Sequence, residues 1–166
     1  MTVGILARSA SEEYLGPHQF SSLALRASVV DGHRHPLMLT QHDLQIRVRY
    51  QETDAMGRLH HANYLTYFEL GRTELLRAAG YTYRQFEEQG LFLVVSEMTC
   101  RYLRPANYDD LLTLRTATLS ARGARIEHEY QLFRGTELLA TGKSTVACVD
   151  RNGNVKRLPD WMRISG

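Results

Sequence analysis

Tyr50-Gln51-Glu52-Thr53-Asp54-Ala55-Met56-Gly57-Arg58-Leu59-His60-His61-Ala62-Asn63-Tyr64 joins an alternating segment to an apolar-periodic one. Upstream, Leu44, Ile46, Val48 and Tyr50 alternate with Gln45, Arg47 and Arg49, the period of a half-buried strand with Tyr50 at its end. Downstream, Tyr64, Leu65, Tyr67, Phe68, Leu75 and Leu76 recur as far as Ala79, with Gly80 available for a left-handed helix stop. Asn63 is the expected helix cap. The apolar set covers more than one narrow stripe, which predicts a helix embraced by a sheet.

This strand-to-helix junction combines a carboxylate at Asp54, a glycine at Gly57 that lets backbone approach a ligand, and the unpaired N–H groups of a helix start. An aspartate in such a place can serve only to cap a turn. A carboxylate beside apolar strand residues is costly without a purpose, so Asp54 is the leading candidate for chemistry.

A second helix is expected over 83–89, ended by Gly90, followed by strands over 91–104, 111–120, 126–134 and 137–150. Gly123, Gly135 and the Arg151-Asn152-Gly153 stretch supply the turns. One strand, a central helix and then a meander of long strands is an α+β architecture in which an antiparallel sheet wraps the helix. Residues 1–41 show no sustained period and read as a weakly structured N-terminal extension, with 42–166 as the folded domain. Translation beginning at Met38 accounts for such an extension, and the Glu12-Glu13 pair counts against a transit peptide.

At 166 residues, 43% hydrophobic and 23% charged, the chain has the composition of one globular domain. A net charge of +2, with no stripe of basic residues and interleaved aromatics, argues against a nucleic-acid partner. No run reaches the length of a membrane span, and no secretory signal pattern opens the chain, so a cytoplasmic location is expected. Cys100 and Cys148, each in an apolar setting, read as reduced core thiols.

Other motifs carry less. Thr141-Gly142-Lys143-Ser144-Thr145 resembles the tail of a phosphate loop, but position 137 is glutamate and the following residues continue a strand. No Gly-x-Ser-x-Gly elbow occurs. His60 and His61 are adjacent and cannot easily face one ion together with Asp54, so neither a metal nor another cofactor is expected.

Residues 44–159 resemble the hotdog-fold acyl-CoA thioesterases, in the branch of 4-hydroxybenzoyl-CoA thioesterase and the tol-pal-associated thioesterases. Tyr50-x-x-x-Asp54-x-x-Gly57-x-x-x-His61-Ala62-Asn63-Tyr64 and Tyr67-Phe68-Glu69-x-Gly71-Arg72-Thr73-Glu74 carry the resemblance most strongly. Arg101-Tyr102-x-x-Pro105-Ala106, Arg122-Gly123 and Cys148-Val149-Asp150 extend it in the same order. Met56, Arg58 and His60 depart from the usual residues of the turn, which bears on substrate choice.

The resemblance implies a homodimer or homotetramer with active sites at the subunit interface, and hydrolysis of an acyl-CoA or acyl carrier protein thioester. It makes Asp54 the catalytic carboxylate, Tyr50 and His61 its neighbours, and the backbone N–H near His61 the oxyanion donor. Gly57 and Asn63 belong with the substrate at the same junction, and Arg122 and Arg125 are candidates for the coenzyme phosphates. Arg72 and Glu74 fit an internal ion pair or dimer contact as well as a ligand role. Two other readings compete: a thioester hydratase or dehydratase, which lacks its Gly-His-Phe-Pro context here, and a non-catalytic acyl-CoA-binding dimer, against which Asp54 argues.

Overall fold

The computed structural model describes residues 39–164. Most of the expected extension over 1–41 therefore lies outside the described residues. The elements in chain order are β1 (Gln41–Arg47), a 3-10 turn (Tyr50–Glu52), α1 (His61–Ala78), α2 (Tyr83–Glu88), β2 (Leu91–Tyr102), β3 (Leu111–Arg122), β4 (Arg125–Arg134), β5 (Glu137–Asp150) and a second 3-10 turn (Asp160–Met162). The strands form one antiparallel sheet of five in the order β1-β3-β4-β5-β2. This is the expected α+β hotdog arrangement.

Period-2 alternation builds the inner face of the sheet. Leu112, Leu114, Thr116 and Thr118 from β3 turn inward, as do Ile126, His128, Tyr130 and Leu132 from β4. Gly142, Ser144, Val146 and Cys148 do the same from β5. The segment over 141–145 is strand throughout, as its β-branched surroundings predict. Cys148 is buried, Cys100 is half-buried, and both are free thiols.

Helix α1 buries Tyr64, Tyr67, Phe68, Gly71, Arg72, Leu75 and Leu76 against that face. Two glycines permit the close approach. A Cβ on Gly71 would collide with Thr116 and Leu114, and one on Gly142 would collide with the Phe68 ring. Phe68 then stacks on Tyr130 with 4.5 Å between ring centroids. The embrace is one-sided, because Leu65 and Leu70 on the other flank of the helix are 39% and 36% exposed.

Two local expectations are corrected. The first strand stops at Arg47, and Tyr50 opens a 3-10 turn in which the Thr53 hydroxyl donates to the Tyr50 carbonyl at 2.8 Å. The ladder ends there because Val48 pairs instead with the loop before β3, donating to the Asp110 carbonyl at 3.0 Å and accepting from the Asp109 N–H at 3.1 Å. Helix α1 is capped by His60, whose Nδ1 accepts from the Ala62 N–H at 3.3 Å, and not by Asn63. Asn63 lies inside the first turn and spends its side chain on the Glu52 carbonyl, 2.7 Å away.

Candidate active site

The loop between β1 and α1 is stitched to the loop that joins β2 and β3. Leu59 donates to the Ala106 carbonyl at 2.9 Å, Tyr108 donates to the Gly57 carbonyl at 3.2 Å, and Arg58 bridges Asn107. Val48, Leu59 and Ala106 are buried beneath these bonds. The loop is thus a braced platform.

Asp54 heads a tight turn on this platform. Its Oδ1 accepts from the N–H groups of Met56 at 2.8 Å and Arg58 at 3.2 Å. Its main chain closes the turn, donating to the Arg58 carbonyl at 2.8 Å and accepting from Gly57 at 2.9 Å. Gly57 is needed at φ 73°, a conformation that side chains disfavour. Among the described residues Oδ2 of Asp54 has no hydrogen-bond partner, so one carboxylate oxygen is anchored and the other is available.

Asp54 opens onto a cleft of about 330 Å³. His61 stands at the same mouth, Tyr64, Tyr102 and Leu103 form the wall, and Arg58 and Arg104 supply positive charge at the rim. The Tyr102 hydroxyl donates to the His61 carbonyl at 3.1 Å while its ring meets Tyr64 edge to face at 5.0 Å, tying the end of β2 to the start of α1. The His61 N–H is the first of the helix and has no acceptor among the described residues. Asp54 and the residue that carries the helix's first N–H therefore line one cavity, an arrangement suited to attack at a carbonyl whose oxygen gathers negative charge.

The other sequence candidates are distributed differently. Tyr50 is 79% exposed and packs edge to face on Tyr108 at 5.6 Å, outside the cleft wall. Gly57 shapes the turn, and Asn63 latches the helix to the loop. Arg122 and Arg125 flank the β3–β4 turn, at the far end of β3 from the loop that carries the cleft; eleven strand steps put that turn roughly 35 Å away within one chain. The sequence marks Arg58 as a departure that bears on substrate choice but gives no sign of Arg104, whose place beside it at the cleft depends on the pairing of two distant loops.

Sequence reasoning passed over Glu52, overshadowed by Asp54 two residues later. The Glu52 side chain is 12% exposed and lies 3.6 Å from the Arg49 guanidinium. Its Oε2 accepts from the Tyr67 hydroxyl at 2.6 Å and from the Arg49 N–H at 2.8 Å. Burial first, and then the hydrogen bond to the Glu52 carboxylate, push the Tyr67 phenol well above its ordinary pKa.

A second hollow, of about 290 Å³, opens among Glu97, Glu127 and Lys143. Among the described residues no group of three or more His, Cys, Asp or Glu side chains is disposed to hold a metal ion, and no helix is long and apolar enough to cross a membrane.

A family model described as the thioesterase-like superfamily matches residues 48–164. The acyl-CoA thioesterase YbgC of Haemophilus influenzae is 42% identical over 106 residues, which cover 63% of this chain and 78% of that protein. The putative acyl-CoA thioesterase YneP of Bacillus subtilis is 32% identical over 123 residues, covering 70% of this chain and 89% of that one. Among solved structures, a probable thioesterase from Bartonella henselae superposes with a TM-score of 0.68 at 38% identity, covering 72% of this chain and 99% of that chain.

Proposed function

The chain belongs to the thioesterase-like superfamily and is a thioesterase, and we propose that it hydrolyses acyl-CoA with Asp54 as the catalytic carboxylate and the His61 N–H as the oxyanion donor. The observation that carries this reading is the meeting at one cleft of Asp54, anchored through Oδ1 with Oδ2 free among the described residues, and His61, whose N–H is the first of α1 and has no acceptor among them.

A thioester needs little acid assistance to expel its thiol, whose pKa is about 8.5. What remains is to deliver a nucleophile and to stabilise the oxyanion, and a preorganised donor is worth roughly 3 kcal/mol in the second task. Asp54 serves the first task by either of two routes. It takes a proton from water as the oxygen attacks the thioester carbon, or it attacks that carbon itself to form a mixed anhydride that water then opens. Both end in a carboxylic acid and coenzyme A thiol. His61 borders the reacting carbonyl, and Arg58 and Arg104 favour an anionic carrier, whether coenzyme A or an acyl carrier protein's phosphopantetheine.

The active unit in this reading is a homodimer or larger homo-oligomer. Strand β2 is an edge of the sheet, and its centre presents Val94 and Val95, each 43% exposed. Antiparallel pairing of two β2 strands about a twofold axis near Ser96 sets the Leu91 end of one beside the Arg101 end of the other. Arg125 pairs with Ala147, and Ala147 with Val94, so the Arg122–Arg125 turn lies toward that Leu91 end. The turn of one copy is thereby carried toward the cleft of the second, which accommodates the role expected of these arginines.

The test is thiol release from a panel of short, long and aromatic acyl-CoAs, with the Asp54→Asn variant in parallel. Turnover by the native chain and its loss in the variant support the assignment. Binding of acyl-CoA without turnover of any substrate favours the non-catalytic alternative, and near-normal turnover by Asp54→Asn removes Asp54 from the mechanism.

A further inference from the structure

We propose that Glu52 is a positioning residue that sets Asp54 at its working distance from the N-terminus of α1. The inference rests on the reading of Asp54 as the catalytic carboxylate. Two pieces must be held in register for that chemistry: the turn that carries Asp54, and the helix whose first residue, His61, lines the same cleft.

Glu52 bonds to both. On the loop side its Oε2 accepts from the Arg49 N–H at 2.8 Å, closing the 3-10 turn two residues before Asp54. On the helix side the same Oε2 accepts from the Tyr67 hydroxyl at 2.6 Å, and Tyr67 is 2% exposed in the core of α1. The Glu52 carbonyl accepts from the His60 N–H at 2.9 Å and from Asn63 Nδ2 at 2.7 Å, the residues on either side of His61 and Ala62. One residue thus receives four hydrogen bonds, one from the turn and three from the helix start and body.

The carboxylate is nearly enclosed and is absent from the cleft wall, so Glu52 does not itself meet substrate. Enclosure also makes the contact rigid, since a charge-assisted O–H···O bond of this length in a water-poor setting tolerates little displacement. A reacting geometry off by about 1 Å lowers rates on the order of a hundredfold.

The experiment compares Glu52→Ala, Glu52→Gln, Tyr67→Phe and the double variant Glu52→Ala/Tyr67→Phe with the native chain and with Asp54→Asn. Each is assayed for kcat and KM on one acyl-CoA and for its melting temperature. Glu52→Ala is expected to lower kcat by about ten- to a hundredfold with KM within about threefold. Gln keeps an oxygen for the Tyr67 and Arg49 donors, so Glu52→Gln is expected to recover kcat to within about threefold of native. Tyr67→Phe should lower kcat in the same direction, and the double variant should be no worse than Glu52→Ala alone, because the two groups act through one bond. If Glu52→Ala fails to fold, Tyr67→Phe carries the test, as it removes one hydroxyl and leaves the ring in the core.

The proposal is overturned if Glu52→Ala and Tyr67→Phe keep native kcat while Asp54→Asn is inactive, or if their losses merely follow the fraction unfolded. An active Asp54→Asn, or a native chain without turnover, overturns instead the assignment of Asp54 on which the proposal stands.

Discussion

The Phe68 ring covers the α-carbon of Gly142 so closely that no side chain fits between them. That contact fixes the depth at which α1 sits on the sheet, and through α1 the position of the cleft. Gly142→Ala must push Phe68 off its stack with Tyr130 or lift the helix. The expected loss is about 1–3 kcal/mol, the usual cost of overpacking a filled core. Urea denaturation will measure it, and an unchanged midpoint would contradict the packing.

Why some of this was legible in sequence and some was not follows from the range of the interactions. The alternation of Leu112, Leu114 and Thr116, or of Ile126, His128 and Tyr130, reports burial directly, so the strands and the α+β class could be read residue by residue. The Asp54 turn is also local, being closed by Met56, Gly57 and Arg58. The helix cap differs because α1 begins three residues earlier than Asn63 capping requires, which puts Asn63 inside the first turn, where its Nδ2 donates to the Glu52 carbonyl eleven residues away instead of its Oδ1 accepting from a helix N–H. Tyr50 was read onto the strand because nothing local shows that Val48 pairs with Asp109 and Asp110. Arg58 and Arg104 become neighbours only when 58 and 107 pair, a contact that no period announces.

His128 supplies a prediction about acid stability. It is 5% exposed on the inner face of β4, its Nδ1 has no partner among the described residues, and its pKa is lowered from 6.5 to about 4, by burial first and by the Arg72 charge second. Arg72 and Tyr83 share its cavity, and Tyr130 stacks at 6.2 Å. Because the unfolded chain binds the proton more readily, the contribution of this site is fully present above about pH 6.5 and is lost as pH falls toward 4, amounting to about 3 kcal/mol. Stability of the native chain measured from pH 7 to pH 4 should therefore fall more steeply than that of His128→Phe. Parallel curves would show that His128 titrates normally.

Gly57 makes a separate claim about the turn. Its φ of 73° leaves open space where a Cβ would go, so Gly57→Ala meets no clash and is penalised only through backbone strain. A destabilisation of about 1 kcal/mol is expected. Since the strain falls within the turn that holds Asp54 Oδ1, kcat should fall by more than the melting temperature alone explains. Full activity in Gly57→Ala would mean that the Asp54 turn tolerates a change of shape.

Quaternary structure and coenzyme recognition are separable at the β2 edge and the β3–β4 turn. A lysine in the centre of β2 at Val95, a position 43% exposed at the sheet edge, should block edge pairing, because a charged side chain there resists desolvation. Val95→Lys is expected to sediment as a monomer and to lose turnover. Arg122→Ala/Arg125→Ala leaves the edge untouched and should remain an oligomer, with KM for acyl-CoA raised about tenfold and kcat preserved, the loss of a charge-assisted phosphate contact. The same double variant should handle the matching acyl-pantetheine, which lacks the nucleotide phosphates, as the native chain does. An active Val95→Lys monomer would detach the site from the interface, and an unchanged KM in the arginine variant would leave Arg58 and Arg104 as the residues that meet the phosphates.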